Sequence, residues 1–255
     1  MAAKIDKFNQ QGFLKIDNFL SASQRQCLHD IVSAFHFRWL SQNQEAYLHG
    51  AVNSAYLTQP ECLNTSHRQL LFQFLASHHL MRTVKTFFVE TPGFMNTQLF
   101  FDPANPAQSN YWHRDGQYQQ SPDEHKAQIG KLTVLHFRLA LVDEPGIELI
   151  PGTHQRWDTE QELAVRMARG DSAVSDPLPQ SRHIALNAGD LLIFDANMLH
   201  RGIYGQQRKA LDVLFCDPVP ELLRFADISC LPDPGISLED ASAFNVTRTA
   251  LSNNS

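Results

Sequence analysis

The sequence predicts a mainly β protein, a sandwich or barrel, with helices packed on one side. The 255 residues are 43% hydrophobic and 19% charged, which is enough apolar material for a sizeable core and excludes wholesale disorder. The first third of the chain has apolar residues at helical spacing. From residue 94 onward, short β-type runs alternate with Pro, Gly, Asn and Asp, a pattern typical of a sandwich or barrel.

Two helical segments are predicted in the first third, after a short strand at 12–16. The first begins near Ser21, because Ser21 and Gln24 have the spacing of a capping box. Its apolar residues recur at i, i+3, i+4 and i+7, namely Leu28, Ile31, Val32 and Phe35. The second covers about 66–88. Since each segment has one apolar face, we expect residues 1–90 to form an outer layer on the β core.

The predicted strands of the core are short apolar runs bounded by turn residues. They cover 94–101, 132–142, 147–150, 183–186, 191–195 and 208–215. One helix, at about 158–169, interrupts them and ends before Gly170. No break in composition marks a second domain. We therefore expect one domain over 1–255, with a β core at about 94–216 and an irregular C-terminal tail.

Charge, hydropathy and cysteine content exclude several classes of protein. Lys and Arg number 21 and Asp and Glu 27, a net charge of −6, whereas nucleic-acid binding favours a basic surface. No apolar run approaches the roughly 18 residues that cross a bilayer, and the first residues do not resemble a signal peptide. We expect a cytoplasmic protein without a nucleic-acid or membrane partner; the sequence leaves its oligomeric state open. The cysteines are scattered singly, as expected of reduced core residues: Cys27, Cys62, Cys216 and Cys230.

A His-x-Asp motif at His113 and Asp115 predicts a metal site. On a strand, residues i and i+2 point to the same side, so both side chains can bind one ion. His200 follows much later, just beyond an apolar strand. Two imidazoles and one carboxylate are the ligand set of non-haem Fe(II) oxygenases, which leaves coordination positions open. Taken singly, the motif is also compatible with surface polar residues, and His200 with a core histidine.

Arg208 lies eight residues after His200 and is a candidate for binding an anionic cosubstrate. If the two residues lie on consecutive antiparallel strands, they are one or two rungs apart. A guanidinium group there can bind the distal carboxylate of 2-oxoglutarate, whose 2-oxo acid end chelates the metal. The face of the strand that carries Arg208 contains both polar and apolar residues, which suits a polar cavity. The other face is more apolar. Alone, Arg208 is also compatible with a solvated strand residue.

Four segments together resemble the phytanoyl-CoA dioxygenase family of Fe(II)/2-oxoglutarate oxygenases, which includes ectoine hydroxylase. They are the opening at 8–21, Trp-His-Arg-Asp at 112–115, the Pro-Gly-Thr-His turn within 148–154, and 189–202 followed by Arg208. The resemblance implies a double-stranded β-helix (a cupin-like jelly roll) buttressed by N-terminal helices. It also implies a dioxygenase that uses Fe(II), 2-oxoglutarate and O2 to hydroxylate a small-molecule substrate, releasing succinate and CO2.

The same resemblance assigns roles to further residues. Gln98, on the strand before the metal motif, matches a glutamine that faces the site in related hydroxylases and is a candidate for cosubstrate binding. Asp115 favours hydroxylation, since related halogenases lack that carboxylate. Gly202 stands where family members often have a hydroxyl group that helps to hold the cosubstrate. His154, in the Pro-Gly-Thr-His turn, is expected to be structural.

The sequence leaves the substrate and one alternative function open. His136 and Arg138 share a strand face; if it points into the barrel they bind an anionic substrate, and if outward they are solvated. The polar segment 116–131 is either a mobile lid or a plain surface loop. The alternative function is a cupin-like binding protein or isomerase that keeps a metal without redox chemistry. Formation of succinate from 2-oxoglutarate distinguishes the two functions.

Overall fold

The computed structural model of the protein describes residues 2–118 and 120–253. The helices are α1 (Ala2–Gln11), α2 (Ala22–Gln42), α3 (Gln44–Leu48), α4 (Thr65–Leu75), α5 (His78–Lys85), α6 (Pro122–Gln128), α7 (Glu160–Arg166), α8 (Pro220–Leu223) and α9 (Ser242–Asn253). The strands are β1 (Phe13–Ile16), β2 (Asn53–Ala55), β3 (Gly93–Phe101), β4 (Val134–Ala140), β5 (Glu144–Leu149), β6 (Arg182–Leu186), β7 (Leu191–Asp195), β8 (His200–Gly202) and β9 (Lys209–Cys216). Within these ranges, no helix is long and apolar enough to span a membrane.

The strands form two antiparallel sheets. The larger has the order β1-β7-β4-β9-β3-β2 and the smaller β6-β5-β8. Residues of both sheets line one cavity, as in a double-stranded β-helix, so the predicted fold class is confirmed. β2 and β8 are not predicted as strands, because runs of three residues are too short to show an alternating pattern.

The main core lies between the larger sheet and the N-terminal helices. The apolar face predicted for the first helix is buried in α2, and it joins one cluster with Leu211, Val213 and Phe215 of β9. The Lys209 ammonium donates to the hydroxyl of Ser33 in α2 at 2.9 Å, which places this side of β9 against the helix. The predicted parity of the strand is therefore confirmed, and its other face points into the barrel.

Two departures from the sequence prediction concern helices. The segment predicted as one helix over 66–88 is α4 and α5, because the Ser77 hydroxyl accepts from the Leu80 N–H at 3.3 Å and begins a new helix. The tail expected to be irregular contains α8 and α9. α9 is rich in Asn, Thr and Ser, which form helices weakly, and it is stabilised instead by packing: Phe244 is buried and the Thr247 hydroxyl donates to the Phe94 carbonyl at 2.8 Å.

Replacing Ser77 with alanine should destabilise the protein, because the N-terminus of α5 loses its side-chain cap. Loss of such a cap lowers the free energy of unfolding by about 1 kcal/mol. Urea denaturation followed by circular dichroism measures the change. Ser252→Ala is the control, since that hydroxyl is exposed and bonds only within α9; its effect should stay within about 0.5 kcal/mol. Equal losses in the two variants would contradict a capping role.

Candidate metal centre

The structure brings His113, Asp115 and His200 together. Each offers one ligand atom, and these atoms lie within 4.8 Å of one another. The Nε2 atoms of His113 and His200 are 3.6 and 3.7 Å from Oδ1 of Asp115. His113 and His200 also exchange backbone hydrogen bonds of 2.9 and 3.0 Å as an isolated antiparallel bridge. This bridge fixes the spacing of the two imidazoles.

Both histidines are held as neutral rings with Nε2 free to bind a metal. Nδ1 of His113 donates to the Tyr111 carbonyl at 3.2 Å, and Nδ1 of His200 to the Met198 carbonyl at 2.9 Å. A carbonyl can only accept, so the proton is on Nδ1 and the lone pair on Nε2. Burial lowers the pKa of both histidines, that of His200 to about 3. Neutral imidazole is the form that coordinates a metal.

His136 orients the carboxylate of Asp115. Its Nε2 contacts Oδ2 of Asp115 at 2.7 Å, and its Nδ1 contacts Oδ2 of Asp212 at 3.1 Å. Burial lowers the pKa of His136, but the two carboxylates outweigh burial and raise it to about 9. Burial likewise raises the pKa of Asp115, yet the surrounding histidines hold it below its usual range. Asp115 is therefore ionised, with one oxygen held by His136 and the other facing the two histidines, an arrangement that could bind a metal ion.

Arg114 lies between His113 and Asp115 in the sequence, and its side chain binds backbone carbonyls of neighbouring segments. Its fully buried guanidinium donates to Asp158 at 2.9 Å, to the Thr153 carbonyl at 2.6 Å and to the Asn197 carbonyl. Asn197 lies three residues before His200, so one side chain ties both ligand-bearing segments together. The N–H of Asp115 adds a bond to the Ala196 carbonyl at 3.1 Å.

His136 and Arg138 point into the barrel, which selects the inward alternative of the sequence analysis. Their charges are already matched. Arg138 donates to Glu144 at 2.9–3.1 Å and to Asp212 at 3.3 Å, and all three side chains are buried. Buried charges are stable only when paired and hydrogen-bonded in this way. Neither residue is therefore left free to neutralise an anionic ligand.

Arg208 is different, because its guanidinium is buried but incompletely paired. Its Nε and Nη1 atoms have no hydrogen-bond partner among the described residues, and Nε is 3.9 Å from Glu144. Burial, followed by the charge of Arg138, lowers the pKa of Arg208 to about 10, so it remains a cation at neutral pH. Native proteins rarely leave buried donors unpaired. The side chain thus offers donors to an anion inside the cavity.

The position of Arg208 corrects the predicted connection to His200. β8 lies in the smaller sheet with β5, whereas β9 lies in the larger sheet, so the two residues are not on paired strands of a hairpin. Arg208 meets β8 across the barrel instead, at Gly202, where a Cβ atom would lie 2.7 Å from Nη1 of Arg208. The hairpin considered as one condition in the sequence does not form, because the sheet to which each strand belongs depends on distant strands. Arg201, the neighbouring arginine, points away and donates to Glu148 at 2.8 Å.

One cavity of about 500 Å³ contains these groups. Gln98 lies on its wall, paired in register with Asp212. The segment 116–131, apart from Gln119, which lies outside the described residues, forms part of the wall as α6 and a short 3-10 helix at Asp115–Tyr118. The buried ring of His125 contacts the Asn197 side-chain oxygen at 3.1 Å. His154 contacts the Asn9 carbonyl at 3.2 Å, which fits its expected structural role.

Residues 8–203 match the family model described as phytanoyl-CoA dioxygenase (PhyH). The chain belongs to the phytanoyl-CoA dioxygenase family. The match includes the three clustered residues and β1 to β8, and it ends before Arg208. No curated protein matches the sequence.

Solved structures share the fold of this family member at low sequence identity. AviO1 from Streptomyces viridochromogenes Tue57 aligns with a TM-score of 0.62 and 17% identity, over 86% of this chain and 95% of its own. The non-heme alpha ketoglutarate dependent carbocyclase SnoK from nogalamycin biosynthesis aligns at 0.57 and 14%, over 86% and 84%. EctD from S. alaskensis, with 2-oxoglutarate and 5-hydroxyectoine, aligns at 0.58 and 13%, over 85% and 76%. These similarities establish the jelly-roll fold.

Sequence reasoning about this phytanoyl-CoA dioxygenase family member misses the residues that support the ligands. Asp212 and Glu144 carry no local motif, and their partners lie on other strands. The parity of β9 places Asp212 on the cavity side, which is the one signal the sequence contains. Arg114 is adjacent to two predicted ligands, so its side chain is expected on the opposite side, but its partner Asp158 has no such signal.

His113→Ala and His200→Ala should each abolish stoichiometric Fe(II) binding, because each removes one of three protein ligands. The fold should survive, since both side chains face a cavity and not the main core. Metal analysis after anaerobic loading, with circular dichroism as the folding check, measures this. His78→Ala is the control, because His78 is exposed and is neither in the cluster nor on the cavity wall. Full iron occupancy in a double His113→Ala, Asp115→Ala variant would refute the site.

Proposed function

We propose that the protein is an Fe(II)- and 2-oxoglutarate-dependent dioxygenase that hydroxylates a small molecule, with release of succinate and CO2. The observation that carries this proposal is one cavity that holds both a His-Asp-His cluster and a buried, incompletely paired arginine. The cluster supplies ligands for iron, and the arginine supplies donors for a carboxylate. Membership of the phytanoyl-CoA dioxygenase family supports the same activity.

The residues present fit Fe(II). Two neutral imidazoles and one carboxylate are the donor set that non-haem Fe(II) oxygenases use, and they leave positions open for other ligands. When bound, Fe(II) with 2-oxoglutarate and O2 supplies the oxidising power of the reaction. EctD, a structural neighbour, is described with bound Fe and, in another structure, with 2-oxoglutarate. We assign His113, Asp115 and His200 as the iron ligands.

The protein holds the cosubstrate through Arg208. The Arg208 guanidinium lies against the backbone of Gly202. Its Cζ atom is 5.2 Å from the centre of the Phe100 ring and 5.8 Å from the centre of the Tyr204 ring. A planar guanidinium between rings is held in one orientation and suits bidentate binding of a carboxylate. Gln98, with its side chain on the same wall, is assigned as an additional cosubstrate contact.

We propose hydroxylation as the outcome because the carboxylate of Asp115, which related halogenases lack, is present among the proposed ligands. His136 holds one oxygen of this carboxylate, so the ligand is fixed and not readily displaced. The fold also occurs in SnoK, which is described as a carbocyclase. The product therefore depends on how the substrate is placed beside the metal. With the proposed set of ligands, hydroxylation is the simplest outcome.

The purified protein should consume 2-oxoglutarate and release succinate only when Fe(II) and O2 are both present. Anaerobic addition of 2-oxoglutarate to the Fe(II) protein should also produce the weak visible charge-transfer band of the chelate. Succinate is measured by chromatography and the band by spectrophotometry. A protein that binds Fe(II) but shows neither signal would instead be a non-redox metal-binding protein.

Arg208→Ala should weaken 2-oxoglutarate binding while leaving Fe(II) binding nearly unchanged. Leaving a buried charge without its partner costs about 3–5 kcal/mol, which corresponds to roughly a hundredfold to a few thousandfold in affinity. Titration of the charge-transfer band gives the dissociation constant. Arg201→Ala is the matched control, because that arginine pairs with Glu148 outside the cavity. Loss of 2-oxoglutarate binding in Arg201→Ala alone would show that the wrong arginine is assigned.

A further inference from the structure

The strand register orders the cavity from a charged end to an apolar end. Arg208 lies just before β9, and Ala210, Asp212 and Leu214 follow it along the inward face of that strand. Asp212 pairs with Arg138 of β4, and Leu214 pairs with His136, which contacts Asp115. The metal cluster is therefore level with Leu214, and Arg208 lies to one side of it. What remains for a substrate is the part of the cavity on the other side.

Apolar side chains line that other side, which we call the apolar end. Its apolar residues are Met95, Val134, Leu214, Leu222 and Phe225, and one polar residue, Asn96, lies in register with Leu214. Met95 and Leu214 belong to a hydrophobic cluster that is separate from the main core, and Val134 and Leu222 pack against it. Leu222 lies in α8, and both it and Phe225 lie beyond residue 203, where the family match stops. This end is thus built in part by residues of the chain that the family model does not cover.

The charged side chains on the described cavity wall are accounted for without a substrate. Asp115 is among the metal ligands and bonds His136, while Asp212 is shared by His136 and Arg138. Glu144 completes the pairing of Arg138. Arg208 alone keeps unused donors, and the proposed cosubstrate takes these. A charged group on the substrate would therefore enter the apolar end without a partner.

We infer that the apolar end binds the prime substrate and that this substrate is an uncharged compound with an apolar portion. The inference rests on the proposed function, since it assigns Arg208 to the cosubstrate. Moving an unpaired charge into apolar surroundings is costly, so the cavity selects against anions and cations alike. The whole cavity, which also contains the metal cluster and Arg208, measures about 500 Å³, within the range of pockets for small molecules. The anionic substrate considered from His136 and Arg138 is not favoured, because both are already paired.

Two fluorescent probes with the same ring system test the inference. N-phenyl-1-naphthylamine is uncharged, and 8-anilinonaphthalene-1-sulfonate adds a sulfonate to these rings. Both are titrated into protein loaded with Zn(II) and excess 2-oxoglutarate, and also into Arg208→Ala, where the sulfonate cannot use that guanidinium. We expect the uncharged probe to bind at least about tenfold more tightly in both, a difference of about 1.4 kcal/mol.

Leu222→Lys identifies the location of the bound probe. A cation at this position should weaken binding of the uncharged probe by about tenfold or more and strengthen binding of the sulfonate probe. The order of the two affinities should then reverse. Val89→Lys is the matched control, because Val89 is a fully exposed apolar residue outside the cavity wall, and it should change neither affinity. Circular dichroism and Fe(II) binding check that each variant is folded.

Three results would overturn the inference. They are equal or tighter binding of the sulfonate in both proteins, no saturable binding of the uncharged probe, and binding of that probe that Leu222→Lys leaves unchanged. None of them depends on turnover. Failure of the proposed function would appear separately, as a lack of succinate and of the charge-transfer band.

Discussion

Asp212 accepts from His136 at 3.1 Å and from Arg138 at 3.3 Å, at the centre of the buried polar groups of the site. Through His136 it supports the orientation of the ligand Asp115. It also accepts, together with Glu144, hydrogen bonds from the buried cation Arg138. Removing Asp212 would leave two buried cations each short of a partner, and an unpaired buried charge is far more costly than an exposed one. The shape of the metal cluster and the charge balance of the cavity thus depend on one carboxylate of β9.

The same balance explains why Arg208 remains available. Glu144 and Asp212, whose charges act on its guanidinium, already accept hydrogen bonds from Arg138, and its Nε is 3.9 Å from Glu144. A buried guanidinium with unused donors is unfavourable for stability. Sites of function commonly depart in this way from the arrangement that is best for stability alone. In the proposed function, the distal carboxylate of 2-oxoglutarate accepts from these donors.

The sequence predicts the metal cluster well, because His113 and Asp115 form a local motif and His200 follows a recognisable strand. The outer helical layer is also predicted, since α2 has a regular apolar face. The spatial relation of His200 to Arg208 is not predicted, because β8 and β9 belong to different sheets. The sheet that each strand joins depends on strands far away in the sequence. α9 has no clear signal for a similar reason. Its residues are weak helix formers and depend on contacts with β3.

Gly202 has a consequence for sequence variation in this part of the chain. Its backbone lies against the Arg208 guanidinium, and a Cβ there would be 2.7 Å from Nη1. Because the guanidinium is buried beside the Phe100 and Tyr204 rings, it has little room to move away. Positions 202 and 208 are therefore expected to change together during divergence. A homologue with serine at position 202 is expected to hold the end of its arginine at position 208 in a shifted place.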